Sequence, residues 1–151
     1  MITVRKPVVA DFDLVFHDIR MADMGEWYAG TGQLFHVGAM DAMMSSEVSL
    51  VALDEDDIPL CFWGGDGGRL WLFATNSAAK RAVSLHKILK PELDALTERW
   101  GFLYAFADSR NVTHHKWMRW LGFEEIAEIE LPPFGLPFKT FTKEDTCAST
   151  L

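Results

Sequence analysis

Apolar residues recur along this chain with two periods, and the switches between them divide it into elements. Ile2-Thr3-Val4-Arg5 alternates apolar and polar as a half-buried strand does, and Pro7 ends it. Leu14, Val15 and Ile19 then follow helical spacing, with Asp11 placed to cap that helix. Met21 to Trp27 continues with helical character until Gly30 and Gly32 break it. Gln33 to Met44 is open: Phe35, Val37 and Met40 fit a short helix, and Met43-Met44 fit gap-filling core. Three strands follow as an antiparallel meander: Val48 to Leu53, Ile58 to Trp63 and Leu70 to Thr75. The acidic turn Asp54 to Asp57 joins the first two, and a flexible GGDGG connection (Gly64 to Gly68) joins the last two.

A long helix is predicted from Ala78 to Trp100, with Asn76 or Ser77 as its N-cap. Leu85, Leu89, Leu93, Leu96 and Trp100 form one buried stripe. Pro91 lies inside that stripe and removes a backbone donor, which predicts a kink or break near Lys87 to Lys90. After Gly101 comes the strand Phe102 to Ala107. Asp108, Ser109 or Asn111 caps a short helix carrying Val112, Trp117, Trp120 and Leu121, and Gly122 suits a left-handed helix end. Phe123 to Leu131 reads as a strand, Pro132 to Pro137 as a rigid loop and Phe138 to Thr142 as a closing strand. The whole is an α/β (α+β) single domain over 1–143, with a mixed central sheet of six or seven strands and helices on both faces. Residues 144–151 read as a flexible tail.

Composition narrows the chemistry by exclusion. A chain of 151 residues, 49% hydrophobic and 24% charged, has enough apolar mass for one full core. A net charge of −8 argues against duplex nucleic acid as the main partner, and no direct nucleic-acid contact is expected. No apolar run reaches the ~20 residues of a membrane span. Cys61 and Cys147 offer no metal spacing and suit a reduced compartment, so the cytoplasm is the expected location. Six Trp and eleven Phe allow an interaction surface, and most would sit in the core.

Several residue groups invite a functional reading beside a plainer one. GGDGG does not stand between a strand and a helix, so it reads as a turn and not as a phosphate loop. Lys80, Arg81, Lys87 and Lys90 precede Glu92, Asp94 and Glu98 along one helix, the reverse of what its dipole favours. That order suits an anion at the helix start, or simply a solvated basic face. His114 and His115 are adjacent, so they point about 100° apart and cannot chelate one ion together; no metal is expected. His114 packs or serves as a base, because imidazole titrates near neutrality. Glu26, Asp41 and Glu47 are further candidate bases, and Asp108-Ser109 either caps a helix or meets a substrate.

The order of elements, with Asn111 placed before Leu121-Gly122-Phe123, resembles the GNAT (Gcn5-related N-acetyltransferase) fold over nearly the whole chain. The resemblance implies acetyl-CoA between the fourth and fifth strands, with its pyrophosphate on the amides that open the long helix. It carries a cofactor-binding role onto Phe73, Ala74, Thr75, Ser77, Ala78, Ala79, Lys80, Arg81 and Asn111. The chain departs from the active pattern in two places. Thr75 to Arg81 contains no glycine where the family's phosphate loop reads Gln/Arg-x-x-Gly-x-Gly/Ala, and Met118 stands where many members place a proton-donating Tyr. No residue is therefore assigned as catalytic.

A closer resemblance joins Trp71-Leu72-Phe73-Ala74-Thr75, Ala79-Lys80-Arg81, Asn111, His114, Trp117, Leu121-Gly122 and Glu124-Glu125. These residues are similar to the small GNAT-like internal virion proteins of T-seven-like podophages, well over the second half of the chain and loosely over the first. The resemblance implies a catalytically degenerate protein acting by contacts with virion or host proteins during core assembly. It also implies residence in the host cytoplasm or particle, possible oligomers, and exposed aromatics at Trp27, Trp120 or Phe134. Two further readings stay open: an acetyl-CoA-dependent N-acyltransferase acting on a protein or small amine, and an inhibitor of a host protein.

Overall fold

A computed structural model describes residues 1–145 of the chain; the expected tail falls mostly on 146–151, outside the described residues. Seven strands form one mixed sheet: β1 (Thr3–Arg5), β2 (Val48–Leu53), β3 (Pro59–Asp66), β4 (Arg69–Ala74), β5 (Phe102–Asp108), β6 (Glu124–Leu131) and β7 (Leu136–Glu144). Their spatial order is β1-β2-β3-β4-β5-β7-β6. Five helices flank the sheet: α1 (Val9–Asp18), α2 (Met21–Thr31), α3 (Phe35–Ser45), α4 (Ala82–Trp100) and α5 (Val112–Trp120). The open stretch at 33–44 is thus helical.

Two apolar clusters lie on opposite sides of the sheet. One joins α4 and α5 through Leu85, Leu89, Leu93, Met118 and Leu121 to Leu103, Ala105 and Trp63. The other joins α1 and α3 through Phe12, Val15, Phe35 and Met43 to Val51, Phe62 and Phe73. Side chains alternate along a strand, so Phe62 and Phe73 face one cluster while Cys61 and Ala74 face the other.

Several expectations are corrected here. Gly64, Gly65 and Asp66 belong to β3, and only Gly67-Gly68 turns. A Cβ on Gly65 would run into the carbonyl of Arg69, and one on Gly64 into Trp71 and the carbonyl of Val48, so these glycines permit close strand approach. The helix after β4 does not begin as an α-helix: Asn76–Arg81 is a 3-10 helix, and α4 starts at Ala82. Neither Asn76 nor Ser77 is a cap: Thr75 holds that position for the 3-10 helix and Arg81 for α4, and the Asn76 and Ser77 side chains turn to Asp18 instead. Helix α4 then runs unbroken through Pro91, because buried leucines on both sides of the proline fix it against the sheet. Finally, β7 begins at Leu136, which shortens the proline-rich loop.

Asp11 is the third residue of α1, not its cap. Its carboxylate accepts from the Val8 amide at 2.8 Å and from Arg5 at 2.6 and 2.8 Å. Burial pushes the Asp11 carboxyl up, but the bonds from Arg5 and Val8 outweigh it and hold the group below the ordinary carboxylate range. A depressed pKa stabilises the fold above the unfolded value and loses that contribution as pH falls. Arg5→Ala should therefore destabilise by about 2 kcal/mol at neutral pH, since Asp11 stays buried without its partner. Urea unfolding at pH 7 and at about pH 3 should show the difference between variant and parent shrinking in acid.

Candidate functional site

The sheet is weakest in its middle. Strands β4 and β5 run parallel but share one register pair, Arg69 with Tyr104, whereas β5 and β7 share seven. Past that single pair the two strands diverge, and the amides at their carboxyl ends lose ladder partners. Buried amides must find acceptors elsewhere. Helix α2 supplies them. Asp23 Oδ2 accepts from the Ala74 amide at 3.1 Å, and Glu26 Oε1 accepts from the Asp108 amide at 2.6 Å. Asn111 at the head of α5 donates its side-chain amide to both carboxylates, at 2.9 Å to Asp23 and 3.4 Å to Glu26.

Two basic groups complete the wedge. Arg20 reaches Asp23 at 3.2 Å. His114 Nδ1 lies 3.1 Å from Glu26 Oε2, and its other nitrogen, Nε2, is buried with no hydrogen-bond partner among the described residues. Burial pushes the His114 imidazole down, but the neighbouring Glu26 and Asp23 outweigh it and raise its pKa above the ordinary histidine value. The adjacent His115 donates from Nε2 to the carbonyl of Asp108, 2.8 Å away, and burial lowers its pKa. Asp23, Glu26 and His114 thus form one buried cluster with ligand atoms within 4.8 Å of one another. Arg20 and Asn111 already occupy its carboxylates.

Two cavities flank this wedge. One of about 360 Å³ is lined by Glu26, Trp27, Asp41, Trp71, Phe106 and His114 among others. The second, about 410 Å³, is almost wholly apolar and lies between the end of β4, the 3-10 helix, the start of α4 and α5. Ala74, Thr75, Ala78, Ala79, Ala82 and Trp117 form its walls.

No family model matches the chain, and no curated protein matches it. Solved structures do. Ard1 from Thermoplasma volcanium superposes with a TM-score of 0.70 at 14% identity, over 95% of this chain and 97% of that one. A spermidine N-acetyltransferase from Vibrio cholerae, in complex with CoA and spermine, gives 0.68 at 11% identity, over 96% of each. A GCN5-related N-acetyltransferase from Kribbella flavida gives 0.64 at 20%, over 95% and 97%. The chain has the GNAT acetyltransferase fold.

Four of the residues expected at a GNAT coenzyme site, Ala74, Thr75, Ala78 and Ala79, do meet on the larger cavity. The others are turned away or engaged. Phe73 packs in the opposite cluster against Phe62, Phe35 and Trp27. The Ala74 amide is taken by Asp23, and the Thr75 hydroxyl donates to the carbonyl of Pro59. Ser77 gives both its amide (3.1 Å) and its hydroxyl (2.5 Å) to Asp18. Arg81 forks onto Glu55 at 2.8 and 2.9 Å, Lys80 is exposed, and Asn111 belongs to the wedge. Met118 is fully buried in the core.

Of the candidate bases only Glu26 meets His114; Asp41 is exposed, and Glu47 pairs with Arg99 at 2.6 Å. Asp108 pairs with Arg110, and Ser109 donates to Glu128. Sequence reasoning missed Asp18, Asp23, Arg20 and Glu55. The spacing of Asp23 and Glu26, which puts both on one face of α2, was the available signal.

The sign of the His114 shift can be measured. A raised pKa means that protonated His114 stabilises the fold below about pH 6.5 and that this contribution is lost as pH rises through the folded value. NMR titration of its ring protons should give a midpoint above the ordinary one. In Glu26→Gln the midpoint should fall below it, because burial then acts with less opposition.

Proposed function

We propose that this is a GNAT-fold phage protein whose transfer chemistry has been built over, and that it acts by contacts with other proteins during assembly of the virion's internal core. One observation carries the degenerate part of this reading. The backbone donors that would receive a coenzyme at the end of β4 and the start of the following helix are occupied by the chain's own Asp23 and Asp18. Arg81, at the end of the 3-10 helix, is paired with Glu55. The missing glycines and Met118 agree with this. The donor set therefore does not fit a phosphorylated coenzyme in the family's manner. The assembly role rests on the sequence resemblance and is supported by exposed aromatics: Trp120 is 47% and Phe134 49% exposed, while Trp27 is half-buried.

An acetyl-CoA-dependent N-acyltransferase is the second reading. What favours it is the Glu26–His114 pair, which fixes one imidazole nitrogen and leaves the other unpartnered beside a cavity opposite the coenzyme side.

Two measurements separate these readings. Acetyl-CoA at a hundred times its dissociation constant adds about 2.7 kcal/mol of stability. The first reading expects no melting shift at millimolar coenzyme and co-purification with co-expressed structural proteins of the same particle. A large shift, accompanied by acetylation of a small amine, would overturn it. An Asp18→Ala, Asp23→Asn double variant should gain coenzyme affinity relative to the parent, because it frees the Ser77 amide and replaces the charged acceptor on the Ala74 amide with a weaker neutral one.

A further inference from the structure

The net charge of −8 conceals a segregated surface. All 22 acidic residues lie outside two stretches, 67–91 and 109–123. The fold brings the helical parts of those stretches together. Helices α4 and α5 line the same apolar cavity, through Ala82 and Leu85 on one side and Lys116, Trp117 and Trp120 on the other. They meet where His86 stacks on Trp120, with ring centroids 3.8 Å apart and planes 3° from parallel. Lys80, Lys87 and Lys116 are exposed around this seam, with no ion pair among the described residues. Lys90 and Arg119, further along the same helices, pair with Asp94 and Glu125 at their outer edges. Burial and the nearby Lys90 lower the pKa of His86, which suits a neutral stacked ring.

A flat exposed ring, uncompensated cations beside it and an apolar hollow next to both form a surface with two chemistries. The lysines attract a polyanion. The Trp120–His86 platform and the cavity behind it recognise planar, partly apolar groups. We propose that this face binds single-stranded nucleic acid, with a base stacked on Trp120 and phosphates against Lys80, Lys87 and Lys116. Base stacking on aromatic side chains beside a cationic track is how unpaired strands are held without sequence preference. A duplex keeps its bases stacked on one another and would leave Trp120 unused. An acidic protein segment would use the lysines but not the platform. The argument from net charge against nucleic acid does not reach a local face whose carboxylates, Asp18, Glu55 and Asp94, lie at its edges and leave Lys80, Lys87 and Lys116 unpaired among the described residues. This inference goes beyond the protein-contact reading and stands without it.

The test is fluorescence anisotropy of labelled oligothymidylate and oligouridylate, each of roughly 20 nucleotides, with the whole chain in about 50 mM and about 200 mM salt. Saturable binding that weakens with salt and quenches tryptophan emission is expected. Trp120→Ala should lose roughly tenfold in affinity with an unchanged salt slope, and Trp120→Phe should retain most of it. Lys87→Glu with Lys116→Glu should lose roughly tenfold or more and flatten the slope. All these side chains are exposed, and circular dichroism confirms folding of each variant. A Lys6→Glu variant, remote from the seam, should bind as the parent does. Absence of binding at about 100 μM protein in the lower salt would overturn the proposal. So would a polyglutamate of equal length that binds equally well, or indifference to Trp120→Ala.

Discussion

Where a sheet opens, its strand ends must be satisfied by something other than a neighbouring strand, and in this protein that task falls to two carboxylates of α2. Asp23 takes the amide of Ala74 and Glu26 the amide of Asp108, so one helix bridges both lips of the β4–β5 split. Asn111 ties the two acids together from the head of α5. Arg20 and His114 offset charge that would otherwise stand buried and uncompensated. Removing any one member leaves a buried polar group unpaired, at about 1–3 kcal/mol each. The position of α2, the angle of α5 and the width of both cavities all follow from this wedge.

The same arrangement decides what the split can bind. Free amides at a strand end and at a helix start make an anion site only while nothing in the chain answers them. Here Asp18 and Asp23 answer them, and the isolated bridge between Ile19 and Thr75 holds the connection between α1 and α2 over the mouth. The turn after β4 is a 3-10 helix of alanines and cations, in which the Ala78 amide bonds back to the Thr75 carbonyl. Exposed lysines stand on that side of the molecule without a free backbone cradle beside them. A surface with cations and no free cradle is suited to diffuse polyanions more than to a single pyrophosphate.

Much of the fold was legible because the signals were long and repeated. The leucine stripe from Leu85 to Leu96 outlived Pro91, and the Leu70 to Phe123 succession located β4, α4, β5 and α5 nearly as they stand. Local chemistry was less legible. Gly64 and Gly65 read as a flexible connection because sequence cannot show that Trp71 and two carbonyls press against them across neighbouring strands. Asn76 and Ser77 read as caps because their own type favours it, yet Asp18, 59 positions before Ser77, competes successfully for them. Phe73 was placed at the site by its neighbours in sequence, although strand alternation turns it to the opposite face from Ala74. The wedge itself joins residues up to 91 positions apart, so no local pattern could assemble it.

Internal carboxylates compete with a ligand on unequal terms. Asp18 and Asp23 are tethered next to the amides they occupy, so a coenzyme must displace them without any entropic advantage of its own. Each charge-assisted bond is worth roughly 1.5 kcal/mol or more, and losing two together weakens a ligand by about a hundredfold or beyond. Asp23 is harder to displace than Asp18. It is 4% exposed and held in place by Arg20 and Asn111 with no route to water, whereas Asp18 sits at the rim and can turn to water. The end of the larger cavity at β4 is therefore closed more firmly than the end at the 3-10 helix. A molecule that enters the larger cavity would meet apolar walls first, and would gain more from Trp117 and Leu85 than from any backbone donor.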